Sequence, residues 1–137
     1  MTEKFDAIVV GAGPAGATAA QVMAKNRINV LMIERGEFPG SKNVIGGVLY
    51  LKTLNDLMPE IWKEAPLERK IVQHFYCLMA TNEHMLVSHK RAIESEPPNG
   101  YTILRSKFDR WYAKKAQDAG ATVITKTNVT ELLSDAS

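Results

Sequence analysis

Six consecutive residues carry the clearest chemistry in this sequence: Gly11-Ala12-Gly13-Pro14-Ala15-Gly16, a GxGxxG spacing set between an apolar run and a helix-forming segment. Gly11 permits a tight turn out of a strand, Gly13 lets a pyrophosphate approach the backbone, and Gly16 lets the helix pack on the strand. The helix N-terminus around Pro14 and Ala15 offers unpaired N–H donors to phosphate oxygens. Glu34 ends the next apolar run 18 residues after Gly16, near the roughly 20 expected of a carboxylate that accepts ribose hydroxyls. A 2′-phosphate is repelled by that carboxylate, an exclusion that the neighbouring Arg35 weakens. Strand, glycine turn, helix, strand and acid together describe a dinucleotide site. The fingerprint alone does not choose between a flavin and a nicotinamide dinucleotide.

The elements that must position these groups are legible on either side of them. Asp6-Ala7-Ile8-Val9-Val10 is an uninterrupted apolar run, expected to be a central parallel strand buried on both faces. Residues 14–25 bring Ala15, Ala19, Val22 and Met23 round at helical spacing, with Pro14 where a missing N–H costs nothing. Asn26 can end that helix, and Val30-Leu31-Met32-Ile33 is the second strand of a βαβ unit. Residues 34–66 are broken by glycine and proline and read as loop, with one short helix near 53–58. Residues 71–80 and 85–88 read as an antiparallel hairpin of a different sheet, and 94–100, with two prolines, as a turn. After a strand at 101–104, Ser106 and Asp109 make a capping-box-like helix start. Phe108, Trp111, Tyr112, Ala116 and Ala119 form one packed face, and Gly120 stops the helix. Strands are expected at 122–125 and 129–133. Three segments follow: 1–70 as the first part of a dinucleotide-binding domain, 71–100 as a hairpin of a second sheet, and 101–137 as a return to the first.

Composition narrows the classes. The chain has 137 residues, 45% of them hydrophobic and 23% charged, an ordinary globular balance. Its net charge of +2 is not gathered into a basic, aromatic-laced stretch, so no nucleic-acid partner is expected. The single cysteine, Cys77, excludes an internal disulfide and a cluster-binding thiolate set, and fits a reducing, cytoplasmic compartment. Cys77 itself reads as a small buried side chain on its strand. His74, His84 and His89 lack a metal-ligand spacing and read as hairpin residues. The N-terminus is too polar for a signal peptide, and no apolar run approaches the roughly 20 residues of a membrane span. No nucleophile, acid–base pair or metal set is identifiable as catalytic.

Further along, Gly13-Pro14-Ala15-Gly16 followed by Glu34-Arg35-Gly36 resembles the FAD-binding start of flavoproteins of the glutathione-reductase and hydroxylase type. Gly40-Ser41-Lys42-Asn43-Val44-Ile45-Gly46-Gly47-Val48-Leu49-Tyr50 resembles, more narrowly, the loop of FixC proteins, relatives of electron-transfer-flavoprotein:quinone oxidoreductase. Ala65-Pro66-Leu67-Glu68-Arg69, Leu104-Arg105-Ser106-Lys107-Phe108-Asp109-Arg110-Trp111 and Ala119-Gly120-Ala121-Thr122 are similar to FixC segments in the same order, so the likeness spans nearly the whole chain. It implies an incomplete α/β, Rossmann-like FAD-binding domain with part of an antiparallel substrate-domain sheet. It also implies a flavoenzyme that accepts electrons from an electron-transfer flavoprotein of FixA/FixB type. Those electrons would pass to quinone, with peripheral contact at the inner face of the membrane, or to a ferredoxin-like FixX.

Carried over by position, Gly11, Gly13 and Gly16 with Pro14 and Ala15 meet the pyrophosphate, and Glu34 with Arg35 lies at the adenosine ribose. Arg105 meets the phosphate or ribose region, Lys42, Asn43, Gly46 and Gly47 lie beside the flavin, and Val129 offers backbone to adenine. Two departures stand out. Arg27 replaces a usual glycine at the helix end, and the family's later Gly-Asp segment would lie beyond Ser137, so the sequence reads as the N-terminal part of a larger protein. Other readings are a geranylgeranyl-reductase-like or hydroxylase-like flavoprotein, a pyridine-nucleotide dehydrogenase, and a non-catalytic nucleotide-binding module. In a flavoenzyme the isoalloxazine carries the electrons, so an empty catalytic list is what this reading expects.

Overall fold

A computed structural model of the chain describes residues 3–90 and 98–134. It divides into two units, Met1–Ile45 with Leu104–Ser137, and Gly46–Ile103. A short strand at 46–50, inside the loop expected over 34–66, and another at 67–70, just after it, join a sheet with the strand at 100–104.

In the first unit, β1 (Ala7–Val10), β2 (Val30–Ile33) and β8 (Thr122–Ile124) form a parallel sheet in the order β1-β2-β8. The helix α1 (Pro14–Lys25) crosses from β1 to β2, and α3 (Arg105–Asp118) leads through Ala119–Gly120 into β8. β1 is therefore an edge of this sheet, not its centre. Ile8 and Val10 are 60% and 59% exposed, correcting the expectation of a strand buried on both faces. The central strand is β2, whose Val30 and Met32 are fully buried.

Small residues explain how closely the helices lie. α1 turns Ala17 and Ala20 inward, and α3 presents Phe108, Tyr112, Ala113 and Ala116, all buried. Phe108 and Tyr112 stack with ring centroids 5.4 Å apart, and Trp111 packs beside them only half-buried. The Tyr112 hydroxyl meets Thr18 Oγ1 at 2.9 Å, joining the second turn of α1 to α3. α1 ends through Asn26, but the left-handed residue is Arg27, with φ +64°.

Burial raises the Tyr112 phenol above its ordinary value, while the Thr18 bond opposes the shift. The unfolded chain then releases this proton before the native state does, so stability is intact below the ordinary phenol range and falls as pH rises through it. We expect a urea midpoint that drops in the wild type as pH rises through the ordinary phenol range, and a shallower drop for Tyr112→Phe.

The second unit holds β3 (Gly46–Tyr50), α2 (Leu51–Leu57), a 3₁₀ turn at Ile61–Lys63, β4 (Leu67–Lys70) and β7 (Gly100–Leu104). β3, β7 and β4 form a sheet in that order, β4 and β7 being antiparallel. The hairpin of β5 (Gln73–Met79) and β6 (His84–Lys90) pairs His74 with His89 and Met79 with His84. Both its faces are exposed, so Cys77 is an exposed thiol and not the buried one expected. Part of the expected 94–100 turn, and the last three residues, lie outside the described residues. No strand forms at 129–134, and among the described residues no helix is long and apolar enough to cross a membrane.

Candidate functional site

The parallel sheet brings the carboxyl ends of its three strands together, which is where open α/β sheets hold ligands. The Gly11 N–H donates to the Ile33 carbonyl at 2.7 Å, and the Glu34 N–H to that of Ile124 at 2.8 Å. After β8 the chain is tied to the segment that follows β2: the Lys126 N–H donates to the Gly36 carbonyl at 2.8 Å and the Thr127 N–H to that of Glu34 at 3.1 Å. Between them lies a cleft of about 200 Å³ lined by Val10, Gly11, Ile33, Glu34, Arg35, Thr127, Asn128 and Val129.

Each fingerprint glycine has a separate physical role. Gly11 sits at φ +97°, which a side chain rarely adopts. A Cβ on Gly16 would overlap the Gly11 carbonyl oxygen, so only glycine lets α1 start this close to the turn. Gly13 has φ −73° and empty space where a Cβ would stand, so its bareness keeps the approach to the backbone open. Pro14 occupies the first turn of α1, and that turn contains no acidic residue to oppose a phosphate.

Glu34 is held by backbone donors: the Ala12 N–H reaches Oε2 at 3.0 Å and the Gly36 N–H reaches Oε1 at 2.6 Å. A carboxylate has about four acceptor positions, so two remain for a pair of hydroxyls. Arg35 is exposed at the cleft wall, and Val129 is half-buried on its far side.

Arg105 opens α3. Its Nε and Nη2 donate to Asp109 Oδ1 and Oδ2 at 2.8 and 2.9 Å, a two-point grip that raises the guanidinium above its ordinary value by hydrogen bonding and charge. Asp109 is completely buried, and its Oδ2 also accepts from Asn43 Nδ2 at 2.8 Å. This corrects the capping box: α3 begins behind Leu104 with no side-chain cap, and Asp109 faces inward to Arg105 and Asn43. Lys42 is exposed on the same loop.

That loop is seated through Gly40, at φ +85°, where a Cβ would lie 2.8 Å from Asp109 Cβ and 3.0 Å from the Arg105 carbonyl oxygen. Gly40→Ala is expected to cost about 1–3 kcal/mol, read as a lower denaturant midpoint with an unchanged slope.

Of the sequence-predicted residues, the structure brings Gly11, Gly13, Pro14, Ala15, Gly16, Glu34, Arg35 and Val129 to the carboxyl ends of one sheet. Lys42, Asn43 and Arg105 belong to the same unit, whereas Gly46 and Gly47 open β3 of the other and are exposed. Sequence reasoning missed Thr127 and Asn128, which lie in irregular chain, and the inward role of Asp109, whose i, i+4 spacing from Arg105 was the available signal.

Residues 6–136 match the model of a family described as FAD dependent oxidoreductase. Over 134 residues the chain is 47% identical to Protein FixC of Bradyrhizobium diazoefficiens, covering 97% of this chain and 31% of that protein. Protein FixC of Escherichia coli K12 is 42% identical over 130 residues, covering 94% and 30%. The chain thus spans about three-tenths of the length of these relatives. Among solved structures, a geranylgeranyl bacteriochlorophyll reductase-like protein of Thermoplasma acidophilum aligns with TM-score 0.72 and 30% identity, covering 90% of this chain and 30% of its own. The myxobacterial halogenase CndH, a variant of FAD-dependent halogenases, shares the fold at TM-score 0.73 and 24% identity, covering 98% and 31%.

Proposed function

We propose a function in electron transfer from one premise: the chain belongs to the FAD dependent oxidoreductase family. The protein is an oxidoreductase and its cofactor is FAD. The residues present suit the adenosine diphosphate half of that cofactor. The cleft offers two free acceptor positions on Glu34 for ribose hydroxyls, and the first turn of α1 offers backbone donors, without a competing carboxylate, for the pyrophosphate. Arg105 neutralises phosphate charge, backbone near Val129 meets adenine, and Lys42 and Asn43, on the loop of the same unit, lie on the flavin side. FAD, when bound, supplies the electron storage; the chain's own groups bind, orient and tune it.

The finer reading is that the whole protein takes electrons from an electron-transfer flavoprotein of FixA/FixB type. It passes them to quinone at the membrane surface or to a ferredoxin-like FixX. The observation that carries this is the 42–47% identity to proteins named FixC over nearly the whole chain. The 30% identity to a geranylgeranyl reductase-like structure supports a second reading, reduction of an isoprenoid double bond. Rapid mixing of the full-length protein with reduced electron-transfer flavoprotein separates the two. Bleaching of its own flavin absorbance, with reoxidation by quinone or FixX, is expected. A flavin that stays oxidised against that donor and is instead reoxidised by a geranylgeranyl compound after chemical reduction would overturn the finer reading.

A further inference from the structure

We propose that Asp109 is a positioning residue of the cofactor site, aiming the Arg105 guanidinium at the N-terminus of α1 and tying the 38–45 loop to the same carboxylate. The inference rests on the reading that Arg105 meets the phosphate or ribose region of FAD.

Topology places Arg105 where this requires. α1 leads into β2 and α3 into β8, and these strands are parallel, so the two helices run in the same direction. The 2.9 Å contact between Thr18 and Tyr112 fixes their register. One turn back from Thr18 lies Pro14 with the glycine loop just before it, and two turns back from Tyr112 lies Arg105. The start of α3 therefore stands beside the start of α1.

Burial then separates Asp109 from an ordinary surface ion pair. Its side chain has no exposure, whereas that of Arg105 is 32% exposed. An aspartate this buried is found when its charge is partnered, and Asp109 has such partners: Oδ1 accepts from Arg105 Nε, and Oδ2 from both Arg105 Nη2 and Asn43 Nδ2. Arginine has five N–H donors, so three remain to face a ligand. A rigid fork held from behind loses less rotamer freedom when it closes on a phosphate than a free side chain does.

The test is a double-mutant cycle read by ADP titration of the full chain, with the thermal midpoint recorded for each variant. Asp109→Asn is expected to weaken ADP binding about tenfold, and at most about twofold when Arg105 is already alanine, because the aspartate acts through the arginine. An equal penalty in both backgrounds would make Asp109 a packing group only and overturn the proposal. If Arg105→Ala loses affinity while Asp109→Asn keeps it, the positioning role fails and the cofactor reading of Arg105 stands. If Arg105→Ala binds ADP as the wild type does, both fail. Should Asp109→Asn not fold, Arg105→Lys carries the test, since lysine keeps the charge but loses the two-point grip; about tenfold weaker binding is expected, and wild-type affinity overturns the proposal.

Discussion

Gly16→Ala is expected to reduce ADP and FAD affinity by about a hundredfold or more and to lower stability by about 1–3 kcal/mol. The added Cβ overlaps the Gly11 carbonyl oxygen and crowds Val9 Cγ1, at 3.2 Å. Both Gly11 and Gly16 are backbone elements of one turn, so no side-chain rotation relieves the clash. Either α1 tilts away from β1, or Gly11 leaves φ +97° and gives up its 2.7 Å bond to the Ile33 carbonyl. In both cases the N–H groups at the start of α1 no longer converge on a phosphate. Gly13→Ala is the informative contrast. Its Cβ meets nothing in the protein, so its melting temperature should stay near that of the wild type while affinity falls. Thermal melts with ADP titrations of the two variants check this, and equal affinity loss without any stability difference would contradict it.

Glu34→Ala is expected to weaken ADP and FAD binding by about 10- to 100-fold, the scale of charged hydrogen bonds to two ribose hydroxyls. Stability falls too, by about 1–3 kcal/mol, because the Ala12 and Gly36 N–H groups lose their acceptor. Those two donors hold the carboxylate in one orientation before any ligand arrives, so under the proposed reading the site selects at the ribose. The wild type should therefore bind ADP more tightly than 2′-deoxy-ADP, and Glu34→Ala should erase most of that difference. A variant that still discriminates between the two nucleotides would show that the ribose is recognised elsewhere.

The βαβ unit was legible because its signals are local. Glycine and proline punctuate the turn, and Val30 and Met32 alternate inward on β2. The helix α1 was legible too, but not its inward face, since Ala15, Ala19 and Val22 are exposed and Ala17, Ala20 and Gln21 are the buried positions. The inward face of α3 was equally plain from Phe108, Tyr112 and Ala116. What the local pattern did not carry was pairing. β3 and β4 lie in a stretch broken by Gly36, Pro39, Gly40, Pro59 and Pro66, and they are strands because β7, far along the chain, lies between them. The apolar residues of β1 gave the right element and the wrong place in the sheet, since periodicity reports what a strand can bury and not how many neighbours it has. Val129 lines the cleft from irregular chain, not from the strand expected for it. Asp109 misled because serine three residues before an acid is a capping pattern, whereas burial and the i, i+4 arginine decided its partner.

The most direct test of the central claim is competitive titration of the folded 137-residue chain with ADP, FAD and FMN, followed by calorimetry. With the first unit proposed to hold the adenosine diphosphate half of FAD, ADP should bind one site, FAD should compete with it, and FMN should leave the isotherm unchanged. Binding of FMN without ADP, or FAD binding that saturating ADP fails to displace, would contradict it.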